Sequence, residues 1–388
     1  MISKNIKFKN FTIKSKKKNI AGDFKKLKKN FFEKKLNLLQ SLSKNYKYSY
    51  NKKIVDKYKK FNNFLVVGMG GSILGTKAIY QFLNHKIKKK FFFIDNLKSK
   101  FNFKKKNFVN LIVSKSGNTL ETIVNSNLLL KNKKNIIISE NKNNYLNILA
   151  KQMKCDIVEH KNYIGGRYSV LSEVGMLPAE LMGLKEIKFK KLNYLISNKK
   201  FVNNLIQNVS SIINLVKRGK NLSILLNYDN KSESLFHWYQ QLTAESLGKK
   251  SKGILPIIST MPRDNHSLMQ FYLDGPQKNF FTFFSVIEKN TNKINSKYLL
   301  KSHSYLKSKN LGKILNSQIK ATQNVFFKKK IPFRSFEILE RSEDSMGELF
   351  CFFILETILL GRALNVNPFD QPSVELVKKE TKKILLRN

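Results

Sequence analysis

The feature that most constrains this chain is the junction between Phe64-Leu65-Val66-Val67 and the glycine-rich stretch Gly68-Met69-Gly70-Gly71-Ser72-Ile73-Leu74-Gly75. Consecutive apolar residues ending at glycine read as a strand buried on both faces, and a helical pattern opening near Ile73 carries the chain back across it. The alternation continues with strands expected at 91–94, 108–113 and 136–139 and a helix from Thr119. Strands alternating with helices imply a parallel sheet covered on both sides. A helical stretch at 170–182 and a Lys-rich connector lead to a second alternation. It comprises a helix at 201–216, a strand at 222–227, a helix at 232–247 and strands at 254–259 and 280–287. The rest reads as helix at 311–326, 344–364 and 372–386. The expected fold class is therefore α/β, with two doubly wound parallel-sheet domains followed by C-terminal helices. Expected boundaries are a Lys-rich helical segment at 1–60, domains at 61–185 and 200–340, and C-terminal helices at 341–388.

At 388 residues the chain is long enough for two such domains, each with its own core. Its longest apolar run, at 349–360, is interrupted by Glu356 and Thr357 and is too short for a membrane span. Residues 1–18 alternate Lys with Ile and Phe and lack an apolar signal region. Cys155 and Cys351 make neither a disulfide framework nor a metal quartet. A soluble cytoplasmic protein with no membrane partner is expected.

The formal charge of +47 raises the question of nucleic acid. That charge is almost all Lys, spread in short clusters such as Lys16-Lys17-Lys18 and Lys328-Lys329-Lys330, with no Arg before Arg167. Base recognition normally uses the arginine fork, and Lys with abundant Asn and Ile is what an AT-rich coding bias produces at exposed sites. No specific nucleic-acid partner is expected, although weak, salt-sensitive binding to polyanions would be a by-product.

In doubly wound sheets ligands gather at the carboxyl ends of strands, so the turns there carry the chemistry. The Gly68–Gly75 stretch fits neither the Rossmann spacing nor the Walker order, since Gly75-Thr76-Lys77 reverses the latter. It reads either as a backbone cradle for an anion or as a tight strand-to-helix turn. Ser114-Lys115-Ser116-Gly117-Asn118-Thr119 crowds hydroxyls and a cation at a helix start, which suits a monophosphate; an ordinary N-cap is the alternative. In Gly165-Gly166-Arg167-Tyr168-Ser169 the first arginine suggests a need for its planar fork, in a site or in a buried ion pair. Glu245 falls at the end of an amphipathic helix, where the helix dipole disfavours a carboxylate; it is either a solvated surface group or a base of raised pKa. His266, in Asn265-His266-Ser267, is one of five histidines. Asn367-Pro368-Phe369-Asp370-Gln371-Pro372 opens a helix carrying Glu375 and Lys378.

Taken in order over residues 64–383, these motifs resemble the phosphoglucose isomerase family of double-sandwich sugar isomerase (SIS) domains. The resemblance rests on the Gly68, Ser114, Gly165, Ala244-Glu245-Ser246, Asn265-His266-Ser267 and Phe369-Asp370-Gln371-Pro372 segments. It implies two SIS-type domains, with C-terminal helices closing an active site that interconverts glucose 6-phosphate and fructose 6-phosphate in glycolysis and gluconeogenesis. Gly71, Ser72, Ser114, Lys115, Ser116 and Thr119 would bind the substrate, chiefly its phosphate, and Gln371 would contact it. Glu245 would move the proton between C1 and C2 through a cis-enediol, with Arg167 stabilising the enediolate. His266 and Lys378 would open the sugar ring. The family's counterpart of His266 comes from a second subunit, so a homodimer is implied. Ser373 and Val377 stand where the family usually has glycine.

The chemistry asks for the same parts. Abstracting a proton beside a carbonyl needs a base matched to the working pH and a fixed cation for the oxyanion, while a phosphate held remotely orients the reacting carbons. It requires neither a metal nor another cofactor, and no His/Glu cluster at ligand spacing is present. Two alternatives stay open at this point. One is an isomerase that also accepts mannose 6-phosphate, and the other is a non-catalytic sugar-phosphate sensor.

Overall fold

The computed structural model describes residues 3–11, 18–97, 107–129 and 134–387. Within them lie strands β1 (Ile6–Lys9), β2 (Asn63–Gly68), β3 (Lys90–Ile94), β4 (Val109–Val113) and β5 (Asn135–Ser139). They are followed by β6 (Asp156–Glu159), β7 (Leu222–Asn227), β8 (Leu255–Thr260), β9 (Asn279–Val286) and β10 (Phe333–Ile338). The first sheet has the order β3-β2-β4-β5-β6 and is parallel throughout. The second has the order β1-β10-β9-β7-β8 and is parallel except for β1. Both are doubly wound, as expected.

Burial explains why these segments pair. Every residue of β4 and of β5 is buried, so each strand is covered on both faces, the environment that selects apolar runs over alternation. In each α/β unit the first parallel strand is an inner one with neighbours on both sides, β3 and β4 flanking β2, β8 and β9 flanking β7, while β1 joins the second sheet at its edge. The strand order therefore reverses beside β2 and beside β7, leaving a crevice at their carboxyl ends.

Three parts of the architecture differ from expectation. The first sixty residues are not only helical: Lys18–Phe32 and Lys52–Tyr58 are helices, but Ile6–Lys9 is an edge strand, Ile6 opposite Ile338. Its Ile6 and Phe8 point inward and its lysines outward, a period of two that the helical reading passed over. Residues 12–17 of the same segment, where the Lys16-Lys17-Lys18 run begins, lie outside the described residues. Second, β10 falls between the helices expected at 311–326 and 344–364, where no strand was expected. The fully buried Arg334 sits in it, ion-paired with Glu356 and donating to Asn208 Oδ1 (2.8 Å) and Thr282 Oγ1 (2.9 Å). A paired internal charge inverts the polarity that pattern reading relies on. Third, the helix Tyr145–Gln152 and β6 complete the first sheet.

The helix Glu343–Ala363 starts at a Ser342/Ser345 capping box and is buried almost end to end. It packs on helices Lys199–Lys217 and Glu233–Leu247 and belongs to the core. Its Glu348 accepts from Ser3 Oγ (2.6 Å) and Asn5 Nδ2 (3.0 Å), tying the N-terminal segment down. The last helix, Val374–Leu385, has no buried residue. Among the described residues no helix is long and apolar enough to cross a membrane.

Candidate active site

The sheets are joined where helix Leu74–Phe82, following β2, packs against helix Glu233–Leu247, following β7. Glycine makes the join close. At Gly71 a Cβ would lie 2.2 Å from the carbonyl carbon of Gly166, and at Gly70 (φ +52°) it would lie 2.7 Å from Gln241 Nε2. The sequence left this stretch as either an anion cradle or a tight strand-to-helix turn; here Gly70 and Gly71 let the β2 turn touch both the Arg167 turn and the Glu245 helix. Ser72 ends the same turn and is buried.

Beside it, β4 runs into the second expected turn. Gly117 is left-handed (φ +66°), and a side chain there would meet Asn144 Oδ1 at 2.0 Å. The turn folds Ser114 Oγ to within 2.9 Å of Thr119 Oγ1, and Ser116 Oγ accepts from Asn118 N at 3.2 Å. Lys115 Nζ donates to Asn162 O at 2.8 Å and lies 3.5 Å from Glu140 Oε1. Hydroxyls, an ammonium and the start of helix Leu120–Leu129 thus lie at the reversal point beside β2, a setting suited to an anion.

Arg167 lies in the short 3₁₀ turn Gly166–Leu171 and is 2% exposed. Its fork is fully engaged. Nε donates to Ser246 Oγ (2.8 Å), Nη1 to Glu245 Oε1 (2.9 Å) and Gln371 Oε1 (2.7 Å), and Nη2 to the carbonyls of Pro368 (2.7 Å) and Asp370 (3.0 Å). A lysine has no such planar set of donors. Of the two sequence readings of Arg167, the buried ion pair is formed, with Glu245 as its partner.

Glu245 is not a solvated surface group: its side chain is 23% exposed, and both oxygens are held. Arg167 takes Oε1, and Gln241 Nε2 donates to Oε2 at 2.9 Å. Gln241 was not singled out from sequence, although it sits one turn before Glu245 on the same helix face, where side chains meet. Tyr168 was also passed over; its hydroxyl lies 3.0 Å from Ser246 Oγ and donates to Pro368 O at 3.0 Å. Burial pushes the Tyr168 phenol up, so it stays a neutral donor. Lys249 pairs with Asp370 at 2.8 Å and donates to Asn367 O, pinning the turn that presents Gln371.

The structure brings Gly71, Ser72, Arg167, Glu245 and Gln371 together, with the Ser114–Thr119 turn alongside. Among the described residues no hydrogen bond or ion pair joins His266 or Lys378 to them. His266 is exposed on the one-turn helix Asp264–Ser267, whose Asp264 carboxylate is anchored by Ser259 Oγ (3.0 Å) and Thr260 N (2.8 Å). Lys378 is exposed on the last helix and pairs with Glu375 at 2.6 Å. Among the described residues no group of three or more His, Cys, Asp or Glu side chains could hold a metal ion.

The family model of phosphoglucose isomerase matches residues 30–387. The glucose-6-phosphate isomerase of Methanocaldococcus jannaschii is 32% identical over 353 residues, covering 84% of this chain and 85% of its own. That of Mycoplasmopsis pulmonis is 30% identical over 385 residues, covering 86% and 87%. Among solved structures, a hypothetical protein from Thermus thermophilus superposes with a TM-score of 0.78 at 24% identity, over 86% of this chain and 88% of that one. A glucose-6-phosphate isomerase from Chlamydia trachomatis gives 0.69 at 19% identity, over 86% and 71%. Both structures share the fold.

Proposed function

Since the chain belongs to the phosphoglucose isomerase family, we propose that it interconverts glucose 6-phosphate and fructose 6-phosphate. The observation that carries the reading is the Glu245–Arg167 pair, a carboxylate and a guanidinium 2.9 Å apart beside a hydroxyl-rich turn. In this reading the phosphate sits among Ser72, Ser114, Lys115, Ser116 and Thr119, and its binding energy orients the sugar carbons. Glu245 carries the proton between C1 and C2 by way of a cis-enediol, and Arg167 Nη1 faces the oxygen on which negative charge develops. Gln241 takes the other oxygen of the carboxylate and Gln371 accepts from the guanidinium, so both groups are held in fixed directions.

Ring opening is given to His266 and Lys378, with His266 supplied by a second copy of the chain in a homodimer. What supports this is that His266 is exposed and lies outside its own chain's Glu245 cluster. The last helix likewise leaves Leu376 and Val377 at 68% and 71% exposure, an apolar surface suited to a partner. Cytoplasmic glycolysis and gluconeogenesis are the setting for such an activity.

The test is conversion of fructose 6-phosphate to glucose 6-phosphate by purified protein with a chelator present, followed through a coupled dehydrogenase. Rapid turnover, with partial incorporation of solvent deuterium at C2 of the glucose 6-phosphate formed, is expected. Binding of the sugar phosphate without turnover would move the reading to a sensor.

A further inference from the structure

A cavity of about 500 Å³ opens between the N-terminal helical segment and the loop that leaves β6. Its lining includes three aromatic rings, Phe32, Tyr46 and Tyr163, and three lysines, Lys34, Lys47 and Lys161; no described carboxylate lines it. The volume lies within the range of small-molecule sites. The chain is rich in lysine everywhere, but here the lysines edge a concave aromatic wall, and Lys161 Nζ stands 5.9 Å from the centre of the Tyr46 ring. Flat rings offer stacking and ammonium groups offer charge, a pairing that fits a planar base carrying phosphates.

The cavity is wired to the site already described by two routes. Along the loop, Lys161 and Tyr163 flank Asn162, whose carbonyl accepts from Lys115 Nζ at 2.8 Å, and the same loop runs on into Arg167. Beneath the cavity, Tyr46 Oη donates to Glu173 Oε1 at 2.8 Å, and Ser49 N donates to the same carboxylate at 3.1 Å. Glu173 opens the helix Glu173–Leu181 directly after the turn that carries Arg167. An occupant that fixes Tyr46 and Tyr163 therefore fixes the supports of both cations.

We propose that this cavity binds a nucleoside phosphate and that its occupancy alters how Lys115 and Arg167 hold the sugar phosphate. The coupling rests on the isomerase reading, whereas the binding does not.

The experiment is calorimetric titration of the full chain with ATP, with fructose 6-phosphate present at saturation. Heat should persist, because the two ligands occupy different places. Phe32→Ala and Lys47→Ala should each weaken ATP binding about tenfold and leave turnover without ATP unchanged. Tyr46→Phe should keep ATP binding but diminish the ATP-dependent shift in KM, since the route through Glu173 is cut while the one through Asn162 and Lys115 remains. The proposal is overturned if fructose 6-phosphate abolishes the heat, if neither alanine variant weakens binding, or if inorganic tripolyphosphate binds as tightly as ATP. A KM shift undiminished in Tyr46→Phe overturns the route through Glu173, and the absence of any ATP-dependent KM shift in the unaltered protein overturns the coupling. Should the chain fail to turn over fructose 6-phosphate while the ATP heat and its loss in the variants stand, the cavity is upheld and the catalytic reading falls.

Discussion

Glu245 Oε1 stands 2.9 Å from Arg167 Nη1, although the glutamate rides on a helix of the second sheet and the arginine on a turn that follows the first. Neither group can meet a substrate without loosening its hold on the other. The pair thus fixes the direction of each group, and in the proposed isomerisation a substrate with a developing oxyanion would replace this internal contact.

Replacing Glu245 by Gln keeps an acceptor for Arg167 and a similar shape while removing the base. Turnover should fall by about 10²–10⁴-fold, the range that positioned proton transfer supplies, with KM changed little. Coupled-assay kinetics, with a melting curve showing that the fold persists, make the measurement. Wild-type turnover in this variant would transfer the base to another group.

Arg167→Lys keeps one positive charge but has a single ammonium where the guanidinium met five acceptors. The carbonyls of Pro368 and Asp370 would then lack their donor, each at a cost of about 1–3 kcal/mol if water cannot enter. Both kcat and the melting temperature should drop. A loss of kcat with an unchanged melt would mean that the fork serves the reaction and not the join.

Two glycines give opposite expectations. Gly71→Ala drives a methyl group against the Gly166 backbone at 2.2 Å and should destabilise by about 1–3 kcal/mol while displacing Arg167. Gly22, inside helix Lys18–Phe32, has nothing within 4 Å of an added Cβ, so Gly22→Ala should stabilise by about 1 kcal/mol. Urea unfolding of the two variants checks both signs, and equal effects would mean that the crowding at Gly71 is absent in solution.

How much of this was legible in the sequence follows from where the charges go. β2, β4 and β5 could be read because both faces are buried and each carries a consecutive apolar run, at 64–67, 111–113 and 136–138. β10 could not, because Arg334 lies fully buried on it and its partner Glu356 is distant in sequence. The site divides in the same way. Glu245 and Arg167 announced themselves by type and motif, while the Pro368 and Asp370 carbonyls that hold Arg167 are backbone groups with no signature in side-chain identity. The glycines at 70 and 71 were visible, but not that their neighbours would be protein.

Lys190 gives a pH signature. It is 3% exposed, donates to the carbonyls of Ser41 and Leu171, and lies 4.8 Å from the Tyr48 ring centre and 5.1 Å from that of Tyr46. Burial pushes its pKa down from 10.5 to about 7, with Glu173, Cys351 and Glu186 pulling the other way. Between those values the unfolded chain binds the extra proton, so stability should rise with pH across that window; below it, the cost of burying the charged ammonium is fully present. Lys190→Met should remove this slope, up to about 1.4 kcal/mol per pH unit. Urea unfolding of both proteins at about pH 6, 7.5 and 9 gives the comparison, and parallel curves would show that Lys190 keeps its proton when folded.

The proposal that His266 crosses between subunits makes a prediction that does not depend on any one rate. Glu245→Gln and His266→Ala homodimers should each be nearly inactive. Unfolded together and refolded at equal amounts, they form half hybrid dimers, and in each hybrid one site combines an intact Glu245 with the partner's intact His266. About a quarter of wild-type activity should therefore return on mixing, as twofold symmetry requires. If His266 instead served the Glu245 of its own chain, every site in every hybrid would lack one of the two groups. Mixing would then restore nothing, and the exposure of His266 would need another explanation.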